Sequence, residues 1–397
     1  MTRRALVIAP QPFFSNRGTP LSVYYRTLVM AELGVSVDLI TYGEGQDVDI
    51  PNLRIIRIPR FAWLGNVKVG PSYLKLFLDI FVTLHLVRQL LVRRYDFVHA
   101  HEEAIFICRF LKPLFRFRLV YDIHSNLAQQ LTNTRFTRSK LLKVLFSRLQ
   151  ESCIRVSDAV ITICPDLADY VNTVHDGAAK NILIENSIFD PVRVVAFAAG
   201  NSGAREQSPP APGSIPADRQ IILYAGTLEN YQGIELLLNA FRETRLSCAD
   251  AFLLVVGGTE AQVHHYSGLA HDLAIDQHVL LLGNRPQKEI PGYMERAAVL
   301  VSPRIEGTNT PLKLYQQIAS GIPLVATDIE SHTQVLDDSV AFLPAPEPKT
   351  YAQAIIQVLN QRDAAAEKAS RARQLYAEKY SRASYTEKMR RVLAMVV

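Results

Sequence analysis

The chain has 397 residues, 48% of them apolar and 20% charged, with a net charge of +5. That length exceeds what one hydrophobic core usually serves and predicts two domains. The mild charge, with no helix-turn-helix, zinc-finger or RNA-binding aromatic pattern, gives no ground for nucleic acid as a partner. Cys108, Cys153, Cys164 and Cys248 lack metal-ligand or paired spacing and read as reduced, buried thiols of a cytosolic protein.

The run Ala5 to Ala9 follows two arginines but is short and meets Pro10 and Pro12, so a first β-strand is expected rather than a signal segment. The longest apolar segment, Leu74 to Val92, contains Lys75, Asp79, His85, Arg88 and Gln89, which argues against a membrane span. Strand-like runs follow at Leu6–Ile8, Val35–Ile40, Leu53–Ile58, Phe97–Val98, Leu119–Tyr121, Ala159–Ile163 and Ile182–Ile184. Helical patterns lie between them at Leu21–Leu33, Tyr73–Arg94, Lys140–Val156 and Asp166–Val174. This alternation predicts a parallel sheet wrapped by helices, with ligands beyond the carboxyl ends of the strands.

Phe197 to Arg219, rich in Gly, Ser and Pro, breaks the rhythm and reads as a linker or mobile loop. Strands resume at Ile221–Tyr224, Phe252–Val256, Val279–Leu282, Ala298–Val301 and Leu324–Ala326. Helices are expected at Gly233–Phe241, Ile290–Arg296, Pro311–Ser320 and Tyr351–Asn360, and Asp363–Tyr380 and Ala383–Val397 close the chain. The stretch from Ser302 to Gly321 reads as strand end, polar loop and helix. Thr310 is expected to cap, Pro311 to take the first helical position and Gly321 to end the helix. Such a helix start favours an anion, and Lys313 and Gln316 share a face on which a phosphate and a hydroxyl-bearing ring could sit. Taken alone, the stretch also describes an ordinary capped surface helix.

Ordered landmarks join these pieces. Phe13 to Pro20, with Gly18 and Thr19, opens the first helix, and Asp96-Phe97-Val98-His99-Ala100-His101 ends one strand. Val120-Tyr121-Asp122-Ile123-His124 ends the next, and Glu185-Asn186-Ser187 follows. Then come Tyr224-Ala225-Gly226-Thr227-Leu228, Gln232-Gly233-Ile234, Val255-Val256-Gly257-Gly258, Leu282-Gly283-Asn284-Arg285 and Ala319 to Thr327. In this order they resemble a family 4 glycosyltransferase, a retaining nucleotide-sugar enzyme of the two-domain GT-B fold, in a branch with a Gly-Thr-Asn-Thr-Pro-Leu-Lys motif. The resemblance covers nearly the whole chain.

It implies two doubly wound, Rossmann-like α/β domains facing across a cleft. Residues 1–190 would bind the acceptor, 191–219 would link, and 220–380 would bind the nucleotide sugar. The last helix, about 381–397, would pack back on the first domain. The implied reaction moves a hexose-type sugar from a nucleotide-diphosphate sugar to an acceptor hydroxyl with retention, in bacterial glycan or glycolipid synthesis. No cofactor and no metal are expected: the single Asp-x-Asp triplet, Asp47-Val48-Asp49, reads as a solvated loop.

The resemblance gives His124 a catalytic role, and Lys313 and Arg304 are expected to share it. Donor contacts would come from Gly18, Thr19, Gly226, Thr227, Gln232, Arg285, Glu306, Gly307, Thr308, Asn309, Thr310, Pro311, Leu312 and Gln316, and contacts to sugar or acceptor from Glu102 and Glu103. The family's Arg and Lys beside the donor diphosphate are absent, their places held by Thr227 and Gln232, and its two glutamates fall on Thr308 and Gln316. Lys313 and Arg304 are the candidates to replace the missing charge.

Basic and aromatic residues interleave through Tyr73–Arg94 and Arg109–Arg148. They suit a lipid-linked acceptor and an anionic membrane on the inner face of the plasma membrane, and equally suit core helices with basic outer faces. The competing functions are a non-catalytic nucleotide-sugar-binding partner of another transferase and a nucleotide-sugar epimerase of the same architecture.

Overall fold

The computed structural model describes residues 3–15, 18–61, 73–125, 140–174, 180–186, 189, 192 and 215–397. Contacts divide the chain into two units, Met1–Phe197 with Arg382–Val397, and Ala198–Ser381. The expected linker, 191–219, lies outside the described residues except for 192 and 215–219. Ile215 is already buried in the core of the second unit.

The first unit runs β1 (Arg3–Ala9), α1 (Gly18–Glu32), β2 (Val35–Thr41), β3 (Leu53–Arg57), α2 (Tyr73–Val92), β4 (Phe97–His101), α3 (Ala104–Phe115), β5 (Arg118–Ile123), α4 (Lys140–Val156), β6 (Ala159–Thr162), α5 (Pro165–Val174) and β7 (Asn181–Leu183). The strands form one parallel sheet in the order β3-β2-β1-β4-β5-β6-β7. Alternation along the strands sends Leu6, Ile8, Val98, Ala100, Leu119, Tyr121 and Ile123 into one apolar layer beneath α2, α3, α4 and α5. The intervening residues face the other way, toward α1 and the C-terminal helix, Arg382–Val396, which returns to this unit. On β4 and β5 those residues include His99, His101 and Asp122, with His124 one step beyond the strand end.

The second unit continues with β8 (Gln220–Ala225), α6 (Ile234–Ser247), β9 (Ala251–Val256), α7 (Glu260–Asp272), β10 (Val279–Leu281), α8 (Ile290–Glu295), β11 (Ala297–Ser302), α9 (Leu312–Ser320), β12 (Leu324–Ala326), α10 (Glu330–Thr333), α11 (Pro348–Asn360) and α12 (Arg362–Leu375). Its parallel sheet has the order β10-β9-β8-β11-β12. One face packs on α6, α7 and α11, the other on α8, α9 and α12.

Three helices lie outside the sequence expectation: α3, α7 and the one-turn α10. In α3, Pro113 and two cations, Arg109 and Lys112, interrupt the apolar run. In α7 little of the surface is apolar, and its start carries a capping box that the sequence does spell: Thr259 accepts from the Gln262 amide, and Gln262 accepts from that of Thr259. The expected helix Asp363–Tyr380 ends at Leu375 and passes into a π-turn, Tyr376–Tyr380. Among the described residues no helix is long and apolar enough to cross a membrane.

Candidate active site

In the first unit the site is a buried polar cluster on the α1 side of the sheet. Arg26 and Asp122 are fully buried, and Arg26 Nε donates to Asp122 Oδ2 at 3.0 Å. The other ends of the guanidinium reach the Ile184 carbonyl at 2.8 Å and the Tyr385 hydroxyl of the C-terminal helix. His99 Nε2 stands 3.1 Å and His101 Nδ1 3.6 Å from the same Asp122 oxygen, and His124 Nε2 is 3.2 Å from the second one. His101 and His124 touch at 3.2 Å. Burial alone would push Asp122 up, but Arg26, His124 and His101 outweigh it and hold the carboxyl well below the usual range. Burial keeps His101 neutral, well below the ordinary imidazole value.

His99, His101 and Asp122 have atoms close enough together to ligate a metal. The donor set does not favour one, because the cation beside Asp122 Oδ2 is the guanidinium of Arg26, bonded to that oxygen. The network reads instead as a brace that fixes the ring of His124, itself buried at the carboxyl end of β5. Glu102 and Glu103 follow β4. Ser125 Oγ donates to Glu102 Oε2 at 3.1 Å, and Lys75 pairs with Glu103 at 3.3 Å. Gly18 and Thr19 open α1, with the two preceding residues outside the described set.

In the second unit the site gathers at the carboxyl ends of β8, β9 and β11. Lys313, in the first turn of α9, places its Nζ 3.1 Å from Gln232 Oε1 and 4.1 Å from the centre of the Tyr224 ring. Burial, helped by Arg304, lowers this ammonium to about 7. Tyr224 in turn donates to the carbonyl of Thr227 at 2.6 Å. Gly226 lies against Lys313, and a Cβ at Gly257 would stand 1.9 Å from the Gly226 carbonyl, so only glycine allows the two strand ends to close. Gly233, at φ +72°, is equally constrained: a Cβ there would stand 1.9 Å from the Pro303 carbonyl. That approach carries Gln232 to the loop after β11.

Arg304 braces this loop. Its Nε donates to the Glu306 carbonyl at 2.6 Å, its Nη1 to that of Asn309 at 3.3 Å, and its guanidinium lies over Tyr231 at 5.2 Å. Below it, His332 Nδ1 is 2.9 Å from the Thr327 carbonyl and so carries the proton, and Nε2 accepts from Ser302 at 2.9 Å. Thr327 Oγ1 donates to the Arg304 carbonyl. Glu306 and Gly307 are exposed on the loop crest, Thr308 and Asn309 are half-buried, and Thr308 accepts from Gln334 at 2.6 Å. Leu312 and Gln316 are half-buried on α9. Arg285 lies two residues beyond Gly283, which pairs with Gly257.

The helix start differs from the sequence expectation. Pro311 is the N-cap, in an extended conformation with ψ 133°, and α9 begins at Leu312. Thr310 therefore does not cap: its buried hydroxyl has no hydrogen-bond partner among the described residues. Gly321 ends the helix at φ +74° as expected. Gln317 is buried and donates to the Val301 carbonyl at 3.3 Å. The Asp47 side of the Asp-x-Asp triplet is ion-paired with Arg57 at 2.6 Å rather than simply solvated.

The sequence reading missed Arg26, Asp122, Tyr385, Tyr224 and His332. A signal existed for Arg26, the lone charge between Leu21 and Met30 on a helix whose other charge is Glu32 at its end. Tyr385 had none, since it approaches from 359 residues away.

Two family models match, one described as glycosyl transferase 4-like domain over residues 27–186 and one as glycosyl transferases group 1 over 207–375. The D-inositol 3-phosphate glycosyltransferase of Corynebacterium diphtheriae is 24% identical, across 83% of this chain and 79% of that protein. The phosphatidyl-myo-inositol mannosyltransferase of Mycobacterium leprae is 28% identical across 38% of this chain and 40% of its own. Among solved structures, sucrose-phosphate synthase of Thermosynechococcus elongatus superposes with a TM-score of 0.75 at 20% identity, covering 99% of this chain and 98% of that one. HepE of Anabaena in complex with UDP-glucose gives 0.67 at 14%, covering 98% and 99%.

Proposed function

Because this chain belongs to the glycosyltransferases, with a 4-like domain followed by a group 1 domain, we propose that it moves a hexose from a nucleotide-diphosphate sugar to an acceptor hydroxyl with retention, in bacterial glycan or glycolipid synthesis. The observation that carries this reading is Lys313. A desolvated ammonium at a helix start, facing one amide oxygen and one ring, beside the orphaned hydroxyl of Thr310, suits an incoming phosphate. The bound UDP-glucose of HepE supports the donor class.

In this reading Lys313, the α9 N-terminus and the loop from Gly307 to Pro311 hold the diphosphate, with Arg304 and Arg285 adding charge. Protein cations then supply the charge offset, with no cofactor and no metal required. Gln316, one turn further, takes ribose hydroxyls as donor and acceptor. Gly226, Thr227, Gln232, Glu306, Thr308, Asn309 and Leu312 line the donor, and Gly18 and Thr19 allow backbone to approach it. His124, held by Asp122, meets the transferred sugar. As the anomeric C–O bond breaks, its electron pair leaves on the diphosphate, where fixed cations stabilise the growing charge. Loss of one such donor costs about 3–4 kcal/mol.

The acceptor is assigned a lipid anchor on an anionic membrane at the cytoplasmic face. The outer surfaces of α2, α3 and α4 expose Leu84, Leu91, Phe110, Leu114, Val144 and Leu145 with Arg88, Arg94, Arg116 and Arg148 beside them. Residues 126–139, part of the basic and aromatic stretch, lie outside the described set. Exposed apolar side chains with exposed cations close to them in sequence favour anionic lipid.

The test is a thermal-shift screen against UDP, GDP, ADP and their sugar conjugates, followed by donor hydrolysis on any hit. One nucleotide family should stabilise the protein, and Lys313→Ala should abolish both the shift and turnover. A shift that survives Lys313→Ala overturns the assignment of the diphosphate site. Flotation with anionic liposomes at low salt tests the membrane, and a protein that stays at the bottom of the gradient has no such docking face.

A further inference from the structure

Two adjacent carboxylates follow β4, and the structure treats them oppositely. Glu103 is ion-paired with Lys75 of α2. Glu102 has a backbone φ of +51°, a left-handed conformation rare for a glutamate. Such conformations persist where the surroundings over-determine them, and they cluster at functional sites. Here the determinants are visible. The Glu102 amide continues the β4–β5 ladder by donating to the Asp122 carbonyl at 3.2 Å. Its side chain is half-buried and is held by the hydroxyl of Ser125, the residue after His124.

The Glu102 carboxylate thus stands at the carboxyl ends of β4 and β5, on the same rim as His124. The groups acting on it are His124 and Ser125 from the end of β5, Tyr121 within β5, Lys75 from α2 and its own neighbour Glu103. Burial pushes the carboxyl up to about 7, and Glu103 adds to this, while His124, Ser125 and Lys75 pull it back. Neighbouring carboxylates with such different environments take different roles, and one poised near neutrality suits proton transfer.

Resting on the transferase reading above, we infer that Glu102 is the proton acceptor for the attacking hydroxyl. The acceptor O–H bond breaks and its proton passes to the Glu102 carboxylate. The freed electron pair on oxygen forms the bond to the anomeric carbon on the face from which the nucleoside diphosphate departs, and the diphosphate takes with it the pair of the broken sugar–phosphate bond, so that configuration is retained. Glu102 then returns its proton to water.

The experiment compares kcat against pH, at saturating donor and acceptor, for the wild type, Glu102→Gln, Ser125→Ala and Glu103→Gln, with nucleotide thermal shifts measured in parallel. In the wild type kcat should rise with pH through about 7, because the ionised form is the active one. Glu102→Gln should lose activity on the order of 100- to 10,000-fold, lose the acid limb and keep the nucleotide shift. Ser125→Ala removes a bond that favours the ionised form, so its acid limb should move to higher pH; this variant keeps the idea testable if Glu102→Gln does not fold. Glu103→Gln should retain an acid limb. An acid limb unchanged in Glu102→Gln or in Ser125→Ala, with nucleotide binding and transfer intact, overturns this role alone. A wild type that binds no nucleotide overturns the transferase reading and this role with it.

Discussion

The Lys313 ammonium lies 4.1 Å from the centre of the Tyr224 ring. A desolvated cation over an aromatic face gains about 2 kcal/mol or more, against about 0.5–1 kcal/mol in the open. The ring therefore holds the cation that the missing Arg and Lys of the family would otherwise accompany. Tyr224→Leu removes the face and the hydroxyl bond to Thr227, and should weaken nucleotide binding by roughly 2- to 30-fold. Tyr224→Phe keeps the ring and should lose much less. Equal losses in the two variants, measured by titration calorimetry, would assign the effect to the hydroxyl instead.

Binding of a diphosphate should draw a proton into the site. The free ammonium titrates near 7 because it is buried beside Arg304, so at pH 8 most molecules carry a neutral Lys313. An anion at hydrogen-bond distance favours the charged form and raises that value. Close to one proton should then be taken up per nucleotide at pH 8, and less at pH 6, where the lysine is already charged. The readout is the dependence of calorimetric enthalpy on the ionisation heat of the buffer. Uptake that persists in Lys313→Met would place the titrating group elsewhere.

Restoring a family lysine should do harm. Gln232 is buried, and its Oε1 accepts from Lys313 at 3.1 Å. Gln232→Lys sets two ammonium groups within contact distance and removes a hydrogen bond to a charged group, a loss of about 1.5–3 kcal/mol. Nucleotide affinity should fall roughly 10- to 100-fold. The double variant Gln232→Lys with Lys313→Gln exchanges the two groups and should recover part of it. A single Gln232→Lys that binds more tightly would mean that Lys313 and position 232 serve different parts of the ligand.

How much of this was readable from the chain depends on how local each feature is. The two parallel sheets were legible because strands buried on both faces are continuous apolar runs, as in Ala5 to Ala9 and Phe252 to Val256. The helix after β11 was legible from Pro311 at its start and Gly321 at its end. Its exact first residue was not, because Pro311 fits either as N-cap or as first helical residue, and its observed ψ of 133° settles that only in three dimensions. His124 was visible as a strand-end histidine, but what fixes it was not. Its brace draws Arg26 from α1, Asp122 from β5 and Tyr385 from the C-terminal helix, and no window of sequence contains all three.

That brace sets the largest stability effect expected in the first unit. Arg26 and Asp122 are both fully buried at 3.0 Å. Removing one partner of such a pair strands the other charge in the core, which costs about 3–5 kcal/mol. Arg26→Met and Asp122→Asn should each lower stability to urea by that order. Tyr385→Phe, which removes one hydrogen bond, should cost about 1 kcal/mol. The pH dependence has a fixed sign. The folded protein holds Asp122 well below the unfolded carboxylate value, so the stabilisation is fully present above about pH 4 and is lost as pH falls further, toward the depressed folded value. Wild type and Asp122→Asn should therefore differ most near neutrality and converge in acid. If their urea midpoints differ equally at pH 7 and pH 3, Asp122 stabilises the fold through neutral contacts rather than as the anion between Arg26 and the histidines.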